Sequence, residues 1–155
     1  MNEYAFKVYE KLSEKNLKIS AAESCTGGLF TKLITDIPGS SSVLDLSIVT
    51  YANEAKIKYL GVSEASISEK GVVSEEVAMQ MSKGIKDAFG ADVGVGITGI
   101  AGPGGGSEEK PVGLVWTCVY YDGKYYPEKL LMDGDREEIR LRTCEKVFSN
   151  ILNII

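Results

Sequence analysis

Apolar residues along this chain recur first at helical spacing and then at strand spacing, and the two patterns alternate almost to the end. Residues 3–15 place Tyr4, Phe6, Val8, Tyr9 and Leu12 roughly a turn apart, with Lys and Glu between them. That pattern predicts an amphipathic helix. Leu17–Ala22 reads as a first strand, and Gly28–Ile37 as a helix closed by Pro38-Gly39. Val43–Tyr51 predicts a second strand, followed by a short helix over Glu54–Leu60 capped by Asn53 and stopped by Gly61. Ser63 opens another short helix that runs to Lys70. Ser74-Glu75-Glu76 then starts a longer one, with Val77, Met81, Ile85 and Phe89 directed to the core. Asp92–Thr98 alternates Val, Gly and Ile, as expected of a buried strand that other backbone approaches closely. Val112–Tyr121 and Tyr125–Met132 flank Asp122-Gly123, a strong hairpin signal, and Asp135–Ile155 is a closing helix.

Strands interleaved with helices, plus one hairpin, predict an α/β fold: a single-domain α/β/α sandwich with a mixed, mostly parallel sheet. The length of 155 residues suits one domain, and no repeat or shift of composition divides residues 1–155. Gly99–Lys110 stands apart because it has no periodicity. A loop of that length inside a compact domain is usually functional or disordered.

Charge and composition narrow the classes. A net charge of −5 argues against a broad nucleic-acid footprint. The first residues lack a basic then apolar leader, and no apolar run reaches the roughly 18 residues of a membrane span. The expectation is a cytoplasmic protein with no membrane and no nucleic-acid partner. Three scattered cysteines, Cys25, Cys118 and Cys144, suit reduced thiols better than a disulfide framework. The absence of histidine matters most. It excludes a Ser-His-Asp triad, a Cys-His pair and any His-ligated zinc within the chain, so a nucleophile must take lysine, tyrosine, a carboxylate or water as its base.

Three segments gather small polar residues and glycines at predicted strand ends: Ser24–Gly28, Thr50–Lys56 and Thr98–Pro111. In an open α/β sheet such loops can share one crevice; otherwise they are three separate turns. Ala21–Gly28 followed by Leu29–Ile34 is a strand-turn-helix joint, where free N–H groups favour a nucleophile or a phosphate, or where Ser24 or Thr26 simply caps a helix. Cys25 is a rival nucleophile or a buried structural residue. Lys56 falls in the first turn of its helix, where the dipole disfavours a cation. An unperturbed lysine is free amine in only about one part in 2,500 at pH 7, so burial must add to the dipole if Lys56 is a base. The alternative is a solvated side chain beside Lys58. Tyr51 either orients or relays a proton, or is a half-buried strand aromatic. Gly99–Gly106 is only loosely like a phosphate loop, since it lacks the G-K-[ST] ending.

Taken together, Ala22–Gly28, Val49–Lys56, Gly71–Ser74, Thr98–Gly105 and Ser107–Gly113 stand in the order found in the CinA C-terminal domain family, which the chain resembles over essentially its whole length. Stand-alone members of that family include nicotinamide-nucleotide amidases. The resemblance therefore implies hydrolysis of the carboxamide of nicotinamide mononucleotide to nicotinate mononucleotide and ammonia, with no cofactor and no metal. It further implies Ser24 as nucleophile acting with Lys56 and Tyr51. Thr26, Gly27 and Gly28 would hold the oxyanion or the phosphate. Thr98, Gly99, Gly102, Gly104 and Gly105 would close over the ribose phosphate, with Lys110 paired to it. Two other classes compete: a non-catalytic nucleotide-binding module, and an interaction domain of a competence or damage pathway. A homo-oligomer is compatible with any of them.

Overall fold

In the computed structural model, which describes residues 1–155, the alternating patterns become α1 (Glu3–Glu14), β1 (Ile19–Glu23), α2 (Leu29–Thr35), β2 (Leu44–Val49) and α3 (Asn53–Leu60). They continue as α4 (Glu64–Lys70), α5 (Glu75–Phe89), β3 (Val93–Gly99), β4 (Leu114–Tyr121), β5 (Lys124–Leu131) and α6 (Arg136–Ile154). The strands form one sheet in the order β2-β1-β3-β4-β5. β1 pairs in parallel with both β2 and β3, and the β4–β5 hairpin extends the sheet antiparallel from β3. This is the α/β sandwich with a mixed sheet that the patterning predicts.

Alternation along the strands assigns the two faces. Ile19, Ala21, Val93, Val95 and Ile97 belong to the larger core with Phe30, Val147 and Phe148 of α2 and α6. The Phe30 and Phe148 rings stack there with centroids 4.4 Å apart. Ala22 points the other way, into a smaller cluster with Leu60, Val77, Met81 and Ile85 from α3 and α5. Gly94 and Gly96 share that second face. A Cβ on either would run into backbone carbonyls of α5, at Ser82 and Ala78 respectively, so glycine is what lets α5 lie directly on β3. The hairpin turn uses positive φ at both central residues, Asp122 at 50° and Gly123 at 74°, which matches the right-handed twist of the flanking strands.

Two boundary expectations change. Ala52, not Asn53, is the N-cap of α3, with no side-chain cap, and Asn53 is the first helical residue. Phe89 is 66% exposed rather than in the core. Each four-residue step along a helix drifts about 40° beyond a full turn, so three steps from Val77 carry Phe89 about 120° off the buried stripe.

The chain leaves β1 through α2 to reach β2 on one side, and returns through α3–α5 to β3 on the other. The carboxyl ends of β1 and β3 therefore flank a topological switch point, where an open sheet leaves a crevice.

Candidate active site

β1 ends at Glu23, and its fully buried side chain turns back under the start of α2. Oε1 accepts hydrogen bonds from Thr26 Oγ1 (2.7 Å), the Gly28 amide (3.2 Å) and the Phe30 amide (2.9 Å). Oε2 accepts from the Thr31 amide (3.1 Å) and Thr31 Oγ1 (2.7 Å). Taking a carboxylate out of water costs several kcal/mol even after relaxation. Donors at the positive end of a helix, each making a charge-assisted bond, offset that cost. The consequence is that the α2 N-terminus is already filled by the chain's own anion. Gly27 donates its amide to the Ser24 carbonyl at 3.0 Å, and Arg140 donates to the Thr26 carbonyl at 2.8 Å. Thr26, Gly27 and Gly28, expected at the substrate, are thus not brought to the pocket described below. They shape the turn that carries Ser24.

Ser24 meets Lys56 there. Lys56 projects from α3 and is 1% exposed; its Nζ lies 3.0 Å from Ser24 Oγ, 2.5 Å from the Thr50 carbonyl oxygen and 3.4 Å from that of Tyr51. No carboxylate forms an ion pair with it. Burial holds its pKa below the ordinary lysine value, opposed weakly by the Cys25 thiol. Protonated, the amine spends its three N–H donors on the two carbonyls and Ser24 Oγ; neutral, it keeps two for the carbonyls and turns its lone pair to the Ser24 hydroxyl. Cys25 has the opposite environment: burial pushes its thiol up to about 11, far from the thiolate that nucleophilic attack requires.

The depressed Lys56 pKa also has a thermodynamic signature. Between the folded pKa and the free value of about 10.4 the unfolded chain binds a proton that the folded chain does not, so stability rises with pH across that window. Melting temperatures measured from neutral to alkaline pH should show this rise in the wild type. The Lys56-dependent part of the slope should vanish in Lys56→Met.

Around this pair lies a pocket of about 510 Å³ at the carboxyl ends of β1, β2 and β3. Ser24, Tyr51 and Lys56 line it, as do Thr98, Gly99, Gly102, Gly104, Gly105 and Lys110, so nine of the sequence-expected residues share one cavity. Lys56, Lys110 and Arg136 line it and no Asp or Glu does, in a protein of net charge −5. Tyr51 is 61% exposed, and its hydroxyl accepts a hydrogen bond from Arg136 Nη2 at 3.1 Å rather than from Lys56. Arg136 Nη1 donates to the Gly102 carbonyl at 2.7 Å, joining the Tyr51 side of the mouth to the glycine loop. Arg136 was not legible as a site residue: it sits among Glu137 and Glu138 in the first turn of α6, where a charged side chain reads as solvated. Asn53, which also lines the pocket, had been read as a helix cap.

The profile of the family described as CinA C-terminal domain matches residues 1–155. The chain belongs to this family. The nicotinamide-nucleotide amidohydrolase PncC of Enterobacter agglomerans is 47% identical over 150 residues, covering 96% of this chain and 90% of that protein. A protein of Clostridioides difficile described as competence-damage inducible is 46% identical over 93% of the chain, but the chain spans only 34% of its length. Among solved structures, the competence/damage inducible protein CihA of Agrobacterium tumefaciens superposes with a TM-score of 0.94 at 40% identity, covering 97% of this chain and 93% of the other. A CinA superfamily protein of Escherichia coli gives a TM-score of 0.94 at 30% identity, with 98% and 88% covered. No helix of the chain is long and apolar enough to cross a membrane.

Proposed function

We propose that the protein is an amidohydrolase that deamidates nicotinamide mononucleotide to nicotinate mononucleotide and ammonia, with Ser24 as nucleophile and Lys56 as base. The observation that carries this reading is the 3.0 Å contact between Ser24 Oγ and a buried lysine amine in a chain without histidine. Sequence similarity along nearly the full length of a nicotinamide-nucleotide amidohydrolase supplies the substrate class. The absence of any carboxylate from the lining, with the Arg136 guanidinium there, suits a phosphorylated substrate.

The chemistry is acyl transfer. Ser24 Oγ attacks the carboxamide carbon while its proton passes to Lys56 Nζ. The carbonyl oxygen becomes an oxyanion. Past Ser24, Cys25 lines the pocket and its amide donates to no other residue of the chain, and this amide is the donor assigned to that oxyanion. Lys56 then gives the proton to the departing nitrogen, the C–N bond breaks, and ammonia leaves an ester on Ser24. Water attacks the ester with Lys56 again taking the proton, and Lys56 returns it to Ser24 Oγ as the acid departs. The direct Lys56–Ser24 contact supports proton transfer without a relay, and Tyr51 with Arg136 frames the entrance on the substrate's phosphate side.

The test is incubation of purified protein with nicotinamide mononucleotide, followed by measurement of ammonia and nicotinate mononucleotide. Stoichiometric formation of both is expected; absence of both at neutral to alkaline pH would overturn the reading. Gly104 offers a clean probe of the phosphate wall, because a Cβ there meets nothing within 4 Å and its φ is not positive. Gly104→Val should leave the melting temperature in place while raising KM for the nucleotide about tenfold, the worth of one charge-assisted hydrogen bond. Steady-state kinetics beside thermal melts read both quantities.

A further inference from the structure

One wall of the pocket is the short connection between α4 and α5, which contributes Gly71, Val72 and Val73 to the lining. Four consecutive carbonyls of this connection each accept a side-chain hydrogen bond. Lys70 O takes Lys110 Nζ at 2.5 Å, Gly71 O takes Ser74 Oγ at 2.8 Å, Val72 O takes Thr98 Oγ1 at 3.0 Å, and Val73 O takes Lys110 Nζ again at 2.8 Å. Two of the four come from one residue at the far end of the glycine loop. That end is itself a closed turn: the Ser107 amide donates to the Lys110 carbonyl at 2.8 Å, and the Lys110 amide donates to Ser107 Oγ at 3.0 Å. Gly71 completes the fit. Its φ is +82°, and a Cβ on it would run into Lys110 Nζ.

From this we infer that Lys110 is a positioning residue, a latch that holds the glycine loop against the Gly71–Val73 wall and so sets the width of the substrate pocket. The bond to Lys70 O reaches the last carbonyl of α4, where a cation is favoured by the helix C-terminus as well as by the bond itself, and the bond to Val73 O ties the same amine to the residue before the α5 N-cap. Two of the ammonium's three donors are committed to backbone, which makes its first task holding the two walls together rather than pairing with a ligand phosphate. The loop has no helix or strand of its own between Gly99 and Leu114, so this tie, with the Arg136 bond to Gly102 near its other end, fixes its course.

The inference concerns the site of the proposed amidase, but its primary test does not depend on that activity. Backbone amide hydrogen exchange should quicken in Lys110→Met within residues 99–113 and 71–74, while β1, β3 and α6 keep wild-type protection. Gly71→Ala, which leaves the lysine in place and displaces its amine, should quicken the same two segments. The kinetic arm compares nicotinamide mononucleotide with nicotinamide riboside, which lacks the phosphate. A latch predicts that kcat/KM falls by about the same factor for both substrates, on the order of tenfold, as misplaced walls do. Unchanged exchange in both segments would overturn the latch. So would a loss confined to the phosphorylated substrate, which would make Lys110 a phosphate contact. If Lys110→Met does not fold, Gly71→Ala and Lys110→Arg carry the exchange measurement. If the wild type releases no ammonia, the amidase reading fails and exchange alone decides the latch.

Discussion

Ser24→Ala is expected to lose on the order of 10⁴-fold or more in kcat for amide hydrolysis, as removal of a covalent nucleophile does. The folded chain should hardly notice. Gly28, not Ser24, is the N-cap of α2, and the turn is held by Glu23 and its five donors rather than by the serine hydroxyl. The bond that the substitution deletes is the one from Lys56. Affinity for the nucleotide should also persist, because the rest of the lining is untouched. Cys25→Ala supplies the contrast. Its thiol is buried in the larger core and its pKa is raised to about 11, so the variant should keep most activity per folded molecule while losing some stability. Single-turnover kinetics on both variants, with nucleotide affinity measured by calorimetry, check the pair of expectations. An active Ser24→Ala beside a dead Cys25→Ala would reassign the nucleophile.

Much of this architecture can be read from the sequence because local rules and tertiary packing agree. Ser63 and Ser74 cap the helices they were expected to cap, each accepting a bond from the amide three residues on. Asp122-Gly123 makes the turn its residue types demand. The three loops converge because strand ends at a switch point must lie together, which topology dictates. What stayed hidden depends on side-chain direction and distance. Glu23 stands in the motif without any mark that its carboxylate turns inward to fill the α2 N-terminus, so Thr26, Gly27 and Gly28 looked available to a ligand. Arg136 lies 85 residues from Tyr51 in the chain, and nothing in its own helical turn signals their contact. Lys110 was legible as a cation near the glycine loop, whereas its commitment to the carbonyls of Lys70 and Val73 emerges only when α4 is placed beside that loop. Lys56 is the intermediate case. The lack of histidine pointed to it, but near-complete burial, which lowers its pKa as the proposed base role requires, is a property of the packed structure.

Lys56 therefore carries the second large effect. Lys56→Arg places a permanent cation beside Ser24 and supplies no base, since guanidinium stays protonated at every working pH. Its loss in kcat should be on the order of 10²-fold or more, the usual size for a general base, and longer Arg must also fit a space now closed around Nζ by two carbonyls. For the wild type the sign is fixed by the direction of the shift. In the proposed mechanism protonated Lys56 cannot take the Ser24 proton, and burial lowers its pKa, so activity is expected to rise with pH through a midpoint below the free lysine value of about 10.4.

The pH dependence of kcat/KM for nicotinamide mononucleotide, measured on wild type and Lys56→Arg side by side, tests the Ser24–Lys56 chemistry most directly. The expected result is a wild-type limb rising through an apparent pKa well below 10.4, with the Arg variant at least about 10²-fold lower and lacking that limb. Near-normal turnover by Lys56→Arg at neutral pH, with the same limb retained, would contradict the account and remove Lys56 as the base.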